Sequence, residues 1–219
     1  MKVESDLPIF AKNPYREGEY FSLNVRNGVI RSPIGTRMVA IPEDLVLGLA
    51  AGLEEECGSA TKVVLYACGR SWGQRCMKRL GIETRQFYQR DQAELPLHFH
   101  TQVLRRVWAL YGWGLLQFDH STSDKGLLEA IVENAMYSDV VGNVGKTTDH
   151  IIAGVLAAIL SELAGRELHA VEICCKSKGD ARCHFMIGTE ARTKILDSWV
   201  REGRKRREIL DAIARDELG

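Results

Sequence analysis

Residues 147–165, TTDHIIAGVLAAILSELAG, restrict the fold of this chain more than any other stretch. Their apolar centre, IIAGVLAAIL at 151–160, is too short for a bilayer, which takes roughly 20 residues. A helix that is apolar nearly all round has to be buried on most sides. The rest of the chain must therefore wrap around it. With 219 residues, 45% hydrophobic and 26% charged, there is material for a well-buried core and no compositional sign of disorder. The 29 basic and 29 acidic side chains cancel, so nothing pulls the chain toward nucleic acid or an anionic membrane. The opening residues, MKVESDLPIF, lack the apolar centre of a secretion signal. With neither signal nor membrane span, a cytoplasmic protein is expected, whose six cysteines are thiols or metal ligands rather than disulfides.

The elements around the buried helix follow from spacing and turn chemistry. Residues 1–20 have no clear period and read as an arm. FSLNVRNGVIRS (21–32) is a hairpin about Asn27-Gly28, a pair that tolerates positive φ. IPEDLVLGLAAGLEEECG places Pro42 at a helix start and Gly58 at its stop. Leu65, Cys68, Trp72, Cys76 and Leu80 recur every three to four residues, a second helix ending before Gly81. A third spans about Leu97 to Tyr111. GWGLLQFDH and GLLEAIVENA read as strands around STSDKG, and RELHAVEICCKS and CHFMIG as a hairpin around KGDA. One charged helix closes the chain. The order predicts an α+β fold, an antiparallel sheet covered by helices. Its divisions are an arm and hairpin at 1–32, a main domain at 33–188 and a C-terminal helix at 189–219.

Three motifs do not survive inspection. GNVGKTT (142–148) has two residues between its glycines where a phosphate loop needs four, and Val140 stands where the first glycine belongs. Asp119, His120 and Ser121 are consecutive, whereas a catalytic triad is assembled across a fold. REGRKRR (201–207) is interleaved with acids and reads as a solvated helix face.

VEICCKSKGDARCHF (171–185) is different. Glu172, Cys175 and Cys183 bring one oxygen and two sulfur donors to a single turn, and thiolates bind zinc well. Spacing alone also allows three cysteines that simply pack as small hydrophobes. Strand alternation puts Glu172 and Cys175 on opposite faces, so a shared site requires a bulge or a strand end near Cys174.

Gly154, Gly165, Glu172, Cys175, Gly179, Asp180 and Cys183, taken in order, resemble the 4-vinyl reductase domain, also called the predicted hydrocarbon-binding domain. LYACGRSWGQ, with Gly69 and Gly73, is similar to that family's earlier Gly-x3-Gly helix. The resemblance is specific over 145–188 and looser over 60–145. It implies a fold related to TRAPP subunits and nitric-oxide-sensing haem domains. It also implies a zinc held by a cysteine on the buried helix and by the Glu, Cys and Cys of the hairpin. The last three map onto Glu172, Cys175 and Cys183. The first maps onto Asp149, a departure; Asp149 can bind through oxygen, and His150 beside it is the other candidate. Four protein ligands would make the metal structural.

The family includes sensor domains of phenol-responsive activators and proteins linked to bacteriochlorophyll biosynthesis. The function so implied is a binding module for a hydrophobic or aromatic small molecule, a chlorophyll-type tetrapyrrole among the candidates. The alternatives are a vinyl reductase or accessory protein of (bacterio)chlorophyll biosynthesis, and a structural assembly factor. A reductase needs a hydride carrier, and no Gly-x-Gly-x-x-Gly follows a strand, which favours the binding module; no catalytic residue is assigned. Trp108, Tyr111 and Trp113, with Ile152 and Leu156 of the apolar helix, are candidates to line the ligand pocket, although the same residues would serve as ordinary core. A homodimer is expected, because the arm, the hairpin and the helix through Ile195, Trp199, Ile209 and Ile213 offer surplus amphipathic surface.

Overall fold

The computed structural model describes residues 14–218, so the first thirteen residues of the expected arm lie outside it. Strands β1 (Ser22–Asn24), β2 (Val29–Arg31) and β3 (Arg37–Met38) form a small antiparallel sheet. Helices α1 (Glu43–Cys57), α2 (Thr61–Tyr88) and α3 (Leu97–Leu110) follow. Then come β4 (Leu115–Asp119), β5 (Leu128–Glu133), the short α4 (Met136–Val141) and α5 (His150–Ala164). The chain ends with β6 (His169–Cys174), β7 (Cys183–Gly188), α6 (Glu190–Arg201) and α7 (Arg206–Ala214).

The apolar run forms α5, buried from Ile152 to Leu160, and α2 lies directly against it. The two backbones touch. A Cβ on Gly154 would fall on the Tyr66 carbonyl oxygen, and one on Gly69 would fall on that of Ile151. Only glycine allows helices to approach this closely, since any side chain would push the axes apart.

The main sheet has the order β4-β5-β7-β6 and is antiparallel throughout. One face, through Leu116, Ala130, Val132, Phe185 and Ile187, packs on α2, α3 and α5. The other carries a separate core of Ile173, Met186, Leu196, Trp199, Ile209 and Ile213 beneath α6 and α7. The fold is α+β with helices on both faces of the sheet.

Three elements differ from the sequence reading. α2 runs past Gly81 to Tyr88, because packing along its length outweighs the roughly 1 kcal/mol that an interior glycine costs. The closing helix is two helices, broken by a turn in which Gly203 takes φ +86°. α1 forms where expected, yet none of its residues is buried. Tyr15 and Tyr20, in the described part of the arm, dock into their own domain, where the Tyr20 hydroxyl donates to buried Glu83 at 3.0 Å. Among the described residues, no helix is long and apolar enough to cross a membrane.

Candidate metal centre and adjoining groove

The KSKGD turn shapes the ends of β6 and β7. Gly179 takes φ +97°, a conformation side chains resist, and lets the chain double back. Asp180 locks the turn: its carboxylate accepts the Cys175 N–H at 3.0 Å, and its own N–H donates to the Cys175 carbonyl at 3.1 Å. Within β6 the register slips between Glu172 and Cys174, which pair with Phe185 and His184. This bulge is what a shared site demands. It sends Ile173 to the outer core and leaves Glu172 and Cys175 facing α5 together.

Asp149, Glu172, Cys175 and Cys183 converge, their donor atoms all within 4.8 Å of one another and all four residues buried. Asp149, at the N-terminal end of α5, is held by the Ser138 N–H on Oδ1 at 3.2 Å. Its own N–H donates to Glu172 Oε2 at 3.1 Å. The Cys183 thiol lies 3.1 Å from Asp149 Oδ2 and 3.2 Å from Ser138 Oγ, and the Lys176 N–H donates to its sulfur at 3.4 Å. The remaining oxygen, Glu172 Oε1, is buried without a hydrogen bond of ordinary geometry, only the weak Cys175 thiol standing beside it.

The charges in this pocket oppose one another. Burial, then Cys175, pushes Asp149 up to about 6; burial, then Asp149, pushes Glu172 well above the usual carboxylate range. The two thiols share a single ionisation. A hydrogen bond from Cys183 holds Cys175 down to about 4, and donating that bond pushes Cys183 up. A buried orphan oxygen converging with a second carboxylate and two thiols is a donor set that a divalent cation would satisfy and neutralise.

Ser177 joins this cluster to its surroundings. Its hydroxyl lies 2.8 Å from Cys175 Sγ and 2.8 Å from Thr148 Oγ1, and donates to the Lys146 carbonyl at 2.9 Å. Its own carbonyl accepts the N–H groups of Val144 and Gly145 at 2.8 and 2.9 Å. The loop so tethered is one wall of a 630 Å³ groove whose other walls are α1, the start of α2 and α4. A smaller cavity of 260 Å³, lined by Glu172, His169, Asp197 and Lys194 among others, lies on the cluster's other side.

Residues 128–189, from the start of β5 to the end of β7, match the model of the vinyl-4-reductase domain. The chain carries a vinyl-4-reductase domain. All four donors lie inside it, and so does the loop that walls the groove. The phenol-responsive sensory domain of the transcription activator PoxR, in a crystal structure with phenol, shares the fold at a TM-score of 0.63. It is 16% identical over 78% of this chain and 85% of that one. A vinyl-4-reductase family protein from Methanocaldococcus jannaschii is 20% identical over 68% of this chain and 82% of that one, at a TM-score of 0.45. The uncharacterized protein MJ0150 of the same organism is 26% identical over 133 residues, 61% of this chain and 68% of its own length.

The vinyl-4-reductase domain brings Asp149 to Glu172, Cys175 and Cys183; His150 is not part of that group. The His150 ring is half-buried between the two cavities and lines both, and burial, then Lys62, lowers its pKa. Trp108, Tyr111, Trp113, Ile152 and Leu156 all belong to the inner core, and none of them lines either cavity. Trp113 stacks on Trp72 with centroids 4.5 Å apart, and its carbonyl accepts the Trp108 indole N–H at 3.0 Å. Sequence patterns do not single out Ser138, Thr148 and Ser177. Each is a short polar residue near a turn or helix end, and only the fold shows that it faces sulfur.

Proposed function

We propose that this protein is a binding module for a hydrophobic small molecule, with a structural zinc that fixes one wall of its groove. The observation that carries the reading is the run of hydrogen bonds from Cys175 through Ser177 to residues 144–146, which ties the four-donor cluster to that wall. The vinyl-4-reductase domain and the fold shared with a sensory domain crystallised with phenol support it. Asp149, Glu172, Cys175 and Cys183 would hold the zinc. Two sulfur and two oxygen donors lie within what zinc accepts, and four protein ligands leave no position for an activated water. The ion would therefore brace β6, β7 and the start of α5 rather than act on a substrate.

Nile red, a neutral hydrophobic dye, tests the reading. One dye per chain is expected to bind and brighten, and a zinc chelator is expected to release it. A zinc-loaded protein that leaves the dye dark would overturn the binding module. Titration with a chlorophyll-type tetrapyrrole, read as a shift of its visible bands, tests that member of the ligand class.

The same reading includes a twofold dimer. Since Tyr15, Tyr20 and the C-terminal helices are used within their own domain, the surface left for a partner is the outer side of α1 with the small sheet. Leu45 and Leu49 are 49% and 56% exposed there, and Leu23 and Val25 of the hairpin 64% and 79%. Large apolar side chains left so open are ordinarily covered in an assembly. Light scattering at micromolar concentration is expected to give twice the 24.5 kDa chain mass. A value near one chain mass would refute the dimer.

A further inference from the structure

We infer that the occupant of the 630 Å³ groove is a single-chain amphiphile with one anionic headgroup. This rests on the binding-module reading and narrows its ligand class. α1 covers the groove with Leu47, Ala50 and Ala51, while Leu45 and Leu49 turn the opposite way and stay exposed. The floor adds Leu65, and the tethered loop and α4 add Val144 and Val141. These side chains are aliphatic and mostly small. Tyr137 is the single aromatic lining residue among the described residues, so the walls offer no pair of rings between which a planar ligand would stack. A groove of this volume is in the range of small-molecule sites, and its lining suits a flexible alkyl chain.

The charged groups in the lining are few. Glu54 pairs with Lys146 at 2.6 Å, which cancels one charge of each sign. Lys62 lines the groove and makes no ion pair among the described residues. His150, lowered by burial and then by Lys62, adds no second cation at neutral pH. One unmatched ammonium beside an aliphatic channel is complementary to a carboxylate or sulfate at the end of an alkyl chain. The ammonium would meet the head in a charge-assisted hydrogen bond.

Calorimetric titration of the full, zinc-loaded chain with decanoate, decanol and decyltrimethylammonium, all below micelle formation, tests the inference. Decanoate is expected to bind one per chain, decanol at least about tenfold more weakly, and the cationic probe more weakly still. Lys62→Ala is expected to remove the preference for decanoate over decanol while leaving decanol binding in place. Ala51→Trp, at an exposed position where added bulk threatens only the groove, is expected to block both. Decanol binding as tightly as decanoate, or a Lys62→Ala variant that keeps the preference, would overturn the anionic headgroup. Decanoate binding that Ala51→Trp does not touch would overturn the groove as the site. In all three cases Nile red binding to the parent protein still decides the binding-module reading separately.

Discussion

Protein carrying Cys183→Ser is expected to purify with little or no zinc, whereas the parent, prepared without chelator, carries about one ion per chain. It is also expected to melt at least about 10 °C lower, as losing an ion bound a thousandfold above its dissociation constant would require in a chain of this size. Cys183 opens β7 and is fully buried, with Asp149, Ser138 and Lys176 arranged around its sulfur. Serine keeps the volume and the hydrogen bonds but supplies a neutral oxygen that does not ionise near neutral pH, so the cluster loses a soft, charged donor. Cys175→Ser should act alike. Asp149→Cys should move the other way and retain zinc against higher chelator concentrations, since it exchanges a hard donor for a soft one. Elemental analysis and thermal melts check all four proteins. A parent without metal would end the zinc reading.

Arg206→Ala is expected to cost about 2 to 4 kcal/mol, toward the low side of what stripping a buried charge of its partner costs, because the Arg206 side chain stays 34% exposed. Glu129 sits on the outer face of β5 with none of its side chain in water. Arg206 clasps it with two bonds of 2.8 Å, and His184 on β7 adds a third of 2.8 Å. Burial by itself would push this carboxyl up. The bonds from His184 and Arg206 outweigh it and hold Glu129 down to about 2. A carboxyl depressed in the folded state contributes stability above its unfolded pKa, near 4.5, and that contribution disappears as pH falls toward 2. The parent should therefore lose roughly 3 kcal/mol through this group across that window. Glu129→Gln, already short of the ion pair at neutral pH, should show a flatter acid limb. Urea unfolding at several pH values measures both. Equal acid slopes in parent and Glu129→Gln would show that Glu129 does not govern this limb.

Much of the candidate site is legible in the sequence because its demands are local. Gly179 and Asp180 mark a turn, Glu172 and Cys175 can meet only through a bulge, and an apolar helix preceded by Asp149 has to pack nearby. The glycines at 69 and 154 mark a close approach without saying what meets it. Other features depend on distant partners. Glu129 is an ordinary acid in GLLEAIVENA until Arg206, 77 residues on, arrives across the sheet. The leucines of α1 have the spacing of a packed helix, and spacing cannot tell a core from an open groove. The closing helix reads as continuous because a single Gly203 in a charged stretch leaves the apolar rhythm intact on either side.

The slipped register in β6 has a consequence for how this segment tolerates change in length. Two successive residues, Ile173 and Cys174, lie between donors that must share a face, so the strand's parity is broken once, at the one place where the cluster requires it. Deleting either residue would restore simple alternation and rotate one donor through the sheet, from the cluster into the hydrophobic layer under α6 and α7. Substitutions at these two positions alter packing by degrees. An insertion or deletion there is all-or-none: it exchanges the occupants of two cores in one step.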